Sequence, residues 1–148
     1  MGDMYGPGAR YSQKAYAYVT RANGSGRQLL VFRERADPDA GVQVPKGGIE
    51  ADETPDCAVR RELREEAGLD HDRPVYHLAS DRYRRADGKR VARHFFHFPV
   101  DETRDEWAHE VTGGGEDDGQ IYDLFWRPLP LPDRLAAGMD AYLPLVER

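Results

Sequence analysis

Short runs in which apolar and polar positions alternate make up most of this chain, and once the period changes to that of a helix. Residues 15–20 alternate and are rich in tyrosine, which predicts a strand. Residues 28–33, through Leu29-Leu30-Val31-Phe32, predict a second strand, with Asn23-Gly24-Ser25-Gly26 as the turn between them. Residues 36–41 read as a loop started by Asp37-Pro38, and residues 42–44 as a short strand entering Pro45 and a pair of glycines. Residues 75–84 and 90–100 predict two strands, joined by a hairpin loop at Ala86-Asp87-Gly88-Lys89, where Asp-Gly is a strong turn signal. Residues 107–112 read as strand or loop, Gly113-Gly114-Gly115 as flexible, and residues 121–126 as a strand. After a corner at Pro128, Pro130 and Pro132, Asp133 is expected to cap a final helix over residues 134–142.

The helical period lies in the middle of the chain. Thr54 and Pro55 suit the N-cap and first helical position, Asp56 the first turn, and Gly68 the left-handed C-terminal position, so a helix over Pro55–Ala67 is expected. Val59, Leu63 and Ala67 form its apolar stripe. At about 100° per residue, Glu62, Glu65 and Glu66 fall within an arc of roughly 100° beside that stripe. Like charges at these spacings repel by about 0.2–0.5 kcal/mol per exposed pair, and by more where water is scarce. Arg61 and Arg64 relieve part of this, although on the helical wheel Arg61 points about 100° away from Glu62. A hard cation with oxygen ligands would turn the repulsion into binding. Mg²⁺ suits best, because it takes one or two carboxylates together with waters and substrate phosphate oxygens, and Mn²⁺ accepts the same ligands. The bland alternative is a solvated, charged helix face.

The spacing of the whole stretch favours the chemical reading. Gly47, Glu53, Arg61, Glu62, Leu63, Glu65, Glu66, Gly68 and Leu69 fill every defined position of the pattern G-x5-E-x7-R-E-U-x-E-E-x-G-U, with U an aliphatic residue. In this the chain resembles the Nudix family. The resemblance implies an α/β/α sandwich with a mixed sheet between helices, and a loop–helix–loop that holds the metal. It implies hydrolysis of a diphosphate in a nucleoside diphosphate linked to a group X. Glu62, Glu65 and Glu66 would be the carboxylates that handle metal and water, and which of them is the base does not carry over. Arg61 and Glu53 are similar to a pair that orients the catalytic glutamates. Lys46, Gly47 and Gly48 would lie against metal or substrate. Two alternatives stand beside this. One is a dinucleoside or inositol polyphosphate hydrolase, toward which Pro45-Lys46-Gly47-Gly48 leans. The other is a nucleotide sensor that does not cleave.

Outside the motif, Arg82 and Arg84 alternate along a predicted strand and are candidates for a phosphate grip, while Arg85 and Lys89 at the hairpin tip read as solvated. Glu116 is the first candidate for a further metal carboxylate, of the kind relatives supply from a late loop, and Glu110 is the second; Asp117 and Asp118 read as an acidic loop. His94 and His97 are three apart in a strand and face opposite sides. Trp126 reads as packing.

Composition adds limits. The 148 residues carry a net charge of −6, which fits a small-molecule substrate better than nucleic acid. Residues 1–10, with Gly6-Pro7-Gly8, read as a leader ahead of one domain over residues 11–148. The single cysteine, Cys57, excludes an internal disulfide and reads as a small filler at the core edge. No apolar run is long enough for a membrane span, and a cytoplasmic location follows by default. A homodimer is left open, since a partner subunit helps bind substrate in some relatives.

Overall fold

A computed structural model describes residues 11–24 and 26–147. The expected leader lies outside them. Seven strands and one helix follow in the order β1 (Ser12–Asn23), β2 (Gly26–Glu34), β3 (Lys46–Gly48), α1 (Pro55–Ala67), β4 (Tyr76–Arg84), β5 (Arg90–Pro99), β6 (Glu106–Glu110) and β7 (Ile121–Leu129). They form one mixed sheet in the order β4-β5-β1-β2-β7-β6. β1 and β5 run parallel, and the other pairs are antiparallel.

The sheet opens between β1 and β2. The C-terminal end of β1 pairs with β2 (Thr20 opposite Leu29), whereas its N-terminal half pairs with β3 (Lys14 opposite Gly48, Tyr16 opposite Lys46). The segment before β3 is tied to β2 by reciprocal bonds between Phe32 and Gln43, at 2.9 and 3.0 Å. This wedge carries the glycine-rich loop over the helix. It also moves the short strand expected at residues 42–44: Gln43 makes an isolated bridge, and the paired strand is Lys46–Gly48.

α1 has the expected bounds, for local reasons. Thr54 accepts from the Cys57 N–H, Pro55 occupies the first turn, and Gly68 ends the helix at φ 72°, with its N–H donating to the Arg64 carbonyl. Ala58, Val59, Leu63 and Ala67 are fully buried against Ala15, Val19, Phe32 and Phe98 on one face of the sheet. Truncating a buried leucine such as Leu63 to alanine costs about 2–5 kcal/mol. Cys57 points outward and is exposed, not a core filler. β6 closes the C-terminal end of α1. The Trp107 Nε1–H donates to the Ala67 carbonyl at 2.9 Å, and the His109 ring to the Glu65 carbonyl at 3.0 Å, satisfying acceptors a helix end leaves open.

The opposite face is covered without a long helix. The helix expected over residues 134–142 is replaced by two single 3₁₀ turns, Ala136–Gly138 and Leu143–Leu145. The backbone is left-handed at Ala137 (φ 50°) and Gly138 (φ 66°), which breaks the helical path. The cause lies in the sheet. Buried Arg93 pairs with Asp81 at 2.6 and 2.8 Å and donates to the carbonyls of Ala137 and Gly138. The Tyr18 hydroxyl donates to the Met139 carbonyl and accepts from the Tyr142 N–H, and the Tyr142 hydroxyl donates to Asp81 at 2.7 Å. These bonds pin the segment to the sheet in its left-handed path rather than along a helix. Leu135, Met139, Leu143 and Val146 then bury against Tyr16, Tyr18 and Phe95. Trp126 packs as expected, with its Nε1–H on the Arg104 carbonyl. Among the described residues no helix is long and apolar enough to cross a membrane.

Candidate active site

The acidic edge of α1 gathers around one guanidinium. Arg61 grips Glu53 with two bonds, at 2.6 and 2.8 Å, and its other terminal nitrogen reaches Glu62 at 2.8 Å and Glu65 at 2.9 Å. It also donates to the Gly48 carbonyl at 2.8 Å. Arg61 reaches Glu62, contrary to the helical-wheel expectation, because its side chain is long enough to curl back over its own helix. Glu53 closes the preceding loop by accepting from the Glu50 N–H at 3.0 Å. The ion pair with Arg61 holds Glu53 below its usual carboxylate range.

Glu66 stands apart from this cluster. It is 3% exposed and accepts from the Lys46 N–H at 2.9 Å. Burial pushes its carboxyl up to about 8, with the Lys46 charge and N–H offsetting part and nearby Glu62 and Asp117 adding to the rise. Burial likewise lifts Glu62 to about 7 despite its bond to Arg61. The two facts are compatible, because one guanidinium is shared among Glu53, Glu62 and Glu65. One shared guanidinium, with the Lys46 ammonium acting on Glu66, leaves an excess of negative charge among four carboxylates.

Glycines allow this crowding. A Cβ on Gly47 would fall on the Glu62 carboxyl, and one on Gly113, where φ is 105°, on the Glu65 carboxyl. In front of the carboxylates lies a cavity of about 390 Å³, whose walls include Lys14, Gly48, Glu62, Glu65, Gly113 and Glu116.

The other residues singled out from sequence divide. Glu116 lines the cavity but is exposed. Its neighbour Asp117, read as a solvated loop acid, is half-buried, lies against the Tyr122 hydroxyl and acts on Glu66. Glu110 sits on β6 opposite Ile121, exposed and outside the cavity wall. Arg82 and Arg84 are on β4, at the sheet edge, and do not line the cavity; the Arg82 guanidinium lies 5.7 Å from the Tyr11 ring. Lys46 serves the site through its backbone, while its ammonium bonds the Gln43 side chain at 2.9 Å and lies over Phe32. Sequence reasoning missed Lys14 and Gly113 at the cavity and His109 behind it. None of these falls within a recognisable spacing.

The donor set suits a hard divalent cation. It consists of carboxylate oxygens, two of them lifted by burial and therefore favoured by added positive charge. Among the described residues no three acid or histidine side chains already converge as a closed metal site, and Arg61 occupies the space between Glu62 and Glu65.

A mixed sheet with one carboxylate-bearing helix on its face, entered by a glycine-rich loop, defines an α/β fold of Nudix type. The NUDIX domain family pattern matches residues 11–146, and the chain belongs to that family. Among solved structures, the NUDIX domain of Shewanella oneidensis NrtR, crystallised with ADP ribose, superposes with a TM-score of 0.68 at 18% identity, covering 94% of this chain and 86% of that one. A MutT NUDIX hydrolase from Burkholderia pseudomallei gives 0.68 at 20% identity, over 93% of this chain and 99% of its own. At such identities the likeness is one of fold. Among curated proteins, an RNA pyrophosphohydrolase of Gluconacetobacter diazotrophicus is 49% identical over 55 residues, 32% of this chain and 32% of that protein. One from Halorhodospira halophila is 56% identical over 48 residues, 32% of this chain and 25% of its own length. The matches thus span about a third or less of those relatives.

Proposed function

We propose that this protein is a divalent-cation-dependent pyrophosphohydrolase that cleaves a diphosphate linkage in a nucleotide. The observation that carries this reading is the charge-unbalanced pair of half-buried carboxylates, Glu62 and Glu65, at the wall of a cavity and held by Arg61, with buried Glu66 beside them on the same helix and bonded to the Lys46 N–H. Glu62, Glu65 and Glu66 would hold Mg²⁺ or Mn²⁺, with Asp117 or Glu116 contributing from the facing loop. The bound cation would neutralise phosphate charge and lower the pKa of the attacking water. Arg61, anchored by Glu53, orients Glu62 and Glu65. A glutamate of this group takes the proton from the water as it adds to phosphorus. The diphosphate bridge then breaks, leaving a nucleoside monophosphate and phosphorylated X. The closed packing of α1 on the sheet fixes these groups in place.

A second reading concerns substrate. The local matches to RNA pyrophosphohydrolases favour the 5′-triphosphate end of RNA as the diphosphate cleaved, against the weak contrary argument from net charge. Incubation with Mg²⁺ and a panel of an NDP-sugar, ADP-ribose, a dinucleoside polyphosphate, nucleoside triphosphates and 5′-triphosphorylated RNA tests both. Cleavage of at least one diphosphate, lost on chelation, is expected. Binding without cleavage across the panel would instead indicate a sensor.

A further inference from the structure

The cavity has a charge problem on its substrate side. A diphosphate brings several negative charges to a wall already made of Glu62, Glu65, Glu116, Asp117 and Asp118. Arg61 cannot answer them, since its guanidinium is already committed to Glu53, Glu62, Glu65 and the Gly48 carbonyl. The Lys46 ammonium is held at Gln43, and Arg82 and Arg84 do not reach the cavity wall. Among the described residues, the one basic side chain in that wall besides Arg61 is Lys14.

Lys14 is placed by register. It stands on β1 opposite Gly48, where no side chain blocks its path, next to the strand pairing that carries the motif loop. It is half-buried and in no ion pair among the described residues. Burial and the positive charges of Lys46 and Arg85 make its ammonium costly, and Asp117 and Glu116 across the cavity offset only part. An ammonium held here at a cost, facing a cavity, is improved by an arriving anion. Arg85, at the end of the β4–β5 hairpin, adds to the positive field on this side.

We propose that Lys14 is a substrate-binding residue that grips a phosphate beyond the one at the carboxylates, so that the site selects oligophosphate chains of three or more phosphates over simple diphosphates. This rests on the reading of the cavity as a diphosphate site. Both a free nucleotide and an RNA 5′ end present that chemistry.

Binding of inorganic tripolyphosphate and inorganic pyrophosphate, measured by calorimetry with Mg²⁺ on the full chain, reads the proposal without turnover. Wild type should prefer tripolyphosphate, and Lys14→Met should weaken it by about tenfold to a hundredfold, narrowing the gap to pyrophosphate. Lys14→Arg should restore most of the preference, which a merely structural role would not do. Thermal melting of both variants checks the fold. Tripolyphosphate affinity unchanged in a folded Lys14→Met, or equal loss for both anions, overturns the proposal. If the preference is present but no nucleotide is cleaved, the hydrolase reading fails and the Lys14 assignment stands. Comparing a nucleoside triphosphate with 5′-triphosphorylated RNA in the same assay separates the two sources.

Discussion

Glu53 and Arg61 form a two-pronged ion pair across the turn into α1, with both bonds under 3 Å and both side chains mostly shielded from water. The pair joins the loop to the helix and fixes the remaining guanidinium nitrogen between Glu62 and Glu65. Glu53→Gln keeps the shape but removes the charge. Folding should lose about 1–3 kcal/mol, and kcat should fall about tenfold to a hundredfold, as for residues that orient a metal site's ligands. Melting and steady-state kinetics on one preparation check both. Full activity in Glu53→Gln would show that Arg61 needs no anchor.

Gly47→Ala separates stability from activity. The added Cβ meets the end of a flexible side chain, Glu62, rather than backbone. The carboxyl can swing aside, so stability should change by less than about 1 kcal/mol, while hydrolysis is largely lost. A variant that melts normally and still turns over would mean Glu62 is not needed where the structure places it.

The raised carboxyls predict a pH slope without metal. Glu62 and Glu66 bind protons more tightly in the folded chain than at their ordinary value of 4.5. The folded state therefore holds more protons than the unfolded one, and stability falls as pH rises through about 7 and 8. Half-buried His97, lowered by desolvation to about 4, acts in the opposite sense only below its ordinary 6.5. In chelator the melting temperature should drop from about pH 6.5 to about pH 8 and level off above it, and Glu66→Gln should flatten that drop. Added Mg²⁺ should raise the wild-type melting point more at the alkaline end. A flat wild-type profile would contradict the burial of these carboxyls.

Asp81→Ala leaves Arg93 buried at 3% exposure with no carboxylate partner. A loss of about 3–5 kcal/mol is expected, with kcat of the protein that remains folded close to wild type, since this network lies on the sheet face opposite α1. Urea titration gives the first quantity and active-fraction-corrected kinetics the second. A loss under about 1 kcal/mol would assign the C-terminal turns another anchor.

What was legible in the sequence depended on how local its cause was. α1 could be bounded to the residue because Thr54, Pro55 and Gly68 act within one turn of its ends. The hairpin β4–β5 followed from Asp87-Gly88. The absent helix after Pro132 has a distant cause, in Arg93 and Tyr18 on other strands. Asp117 rather than Glu116 lies inward because of how one loop folds over Tyr122, and adjacent acids in a loop look alike until it folds. Arg61 was misplaced by a wheel that tracks Cβ directions and ignores the reach of a long side chain.

The central claim is that the carboxylate edge of α1 performs diphosphate hydrolysis. Turnover by Glu66→Gln at saturating Mg²⁺, on a substrate that wild type cleaves, tests it most directly. The account predicts a rate at least about a hundredfold below wild type, in a protein that without metal at pH 8 melts no lower than wild type, because its buried charge is gone. Wild-type turnover by folded Glu66→Gln would contradict it.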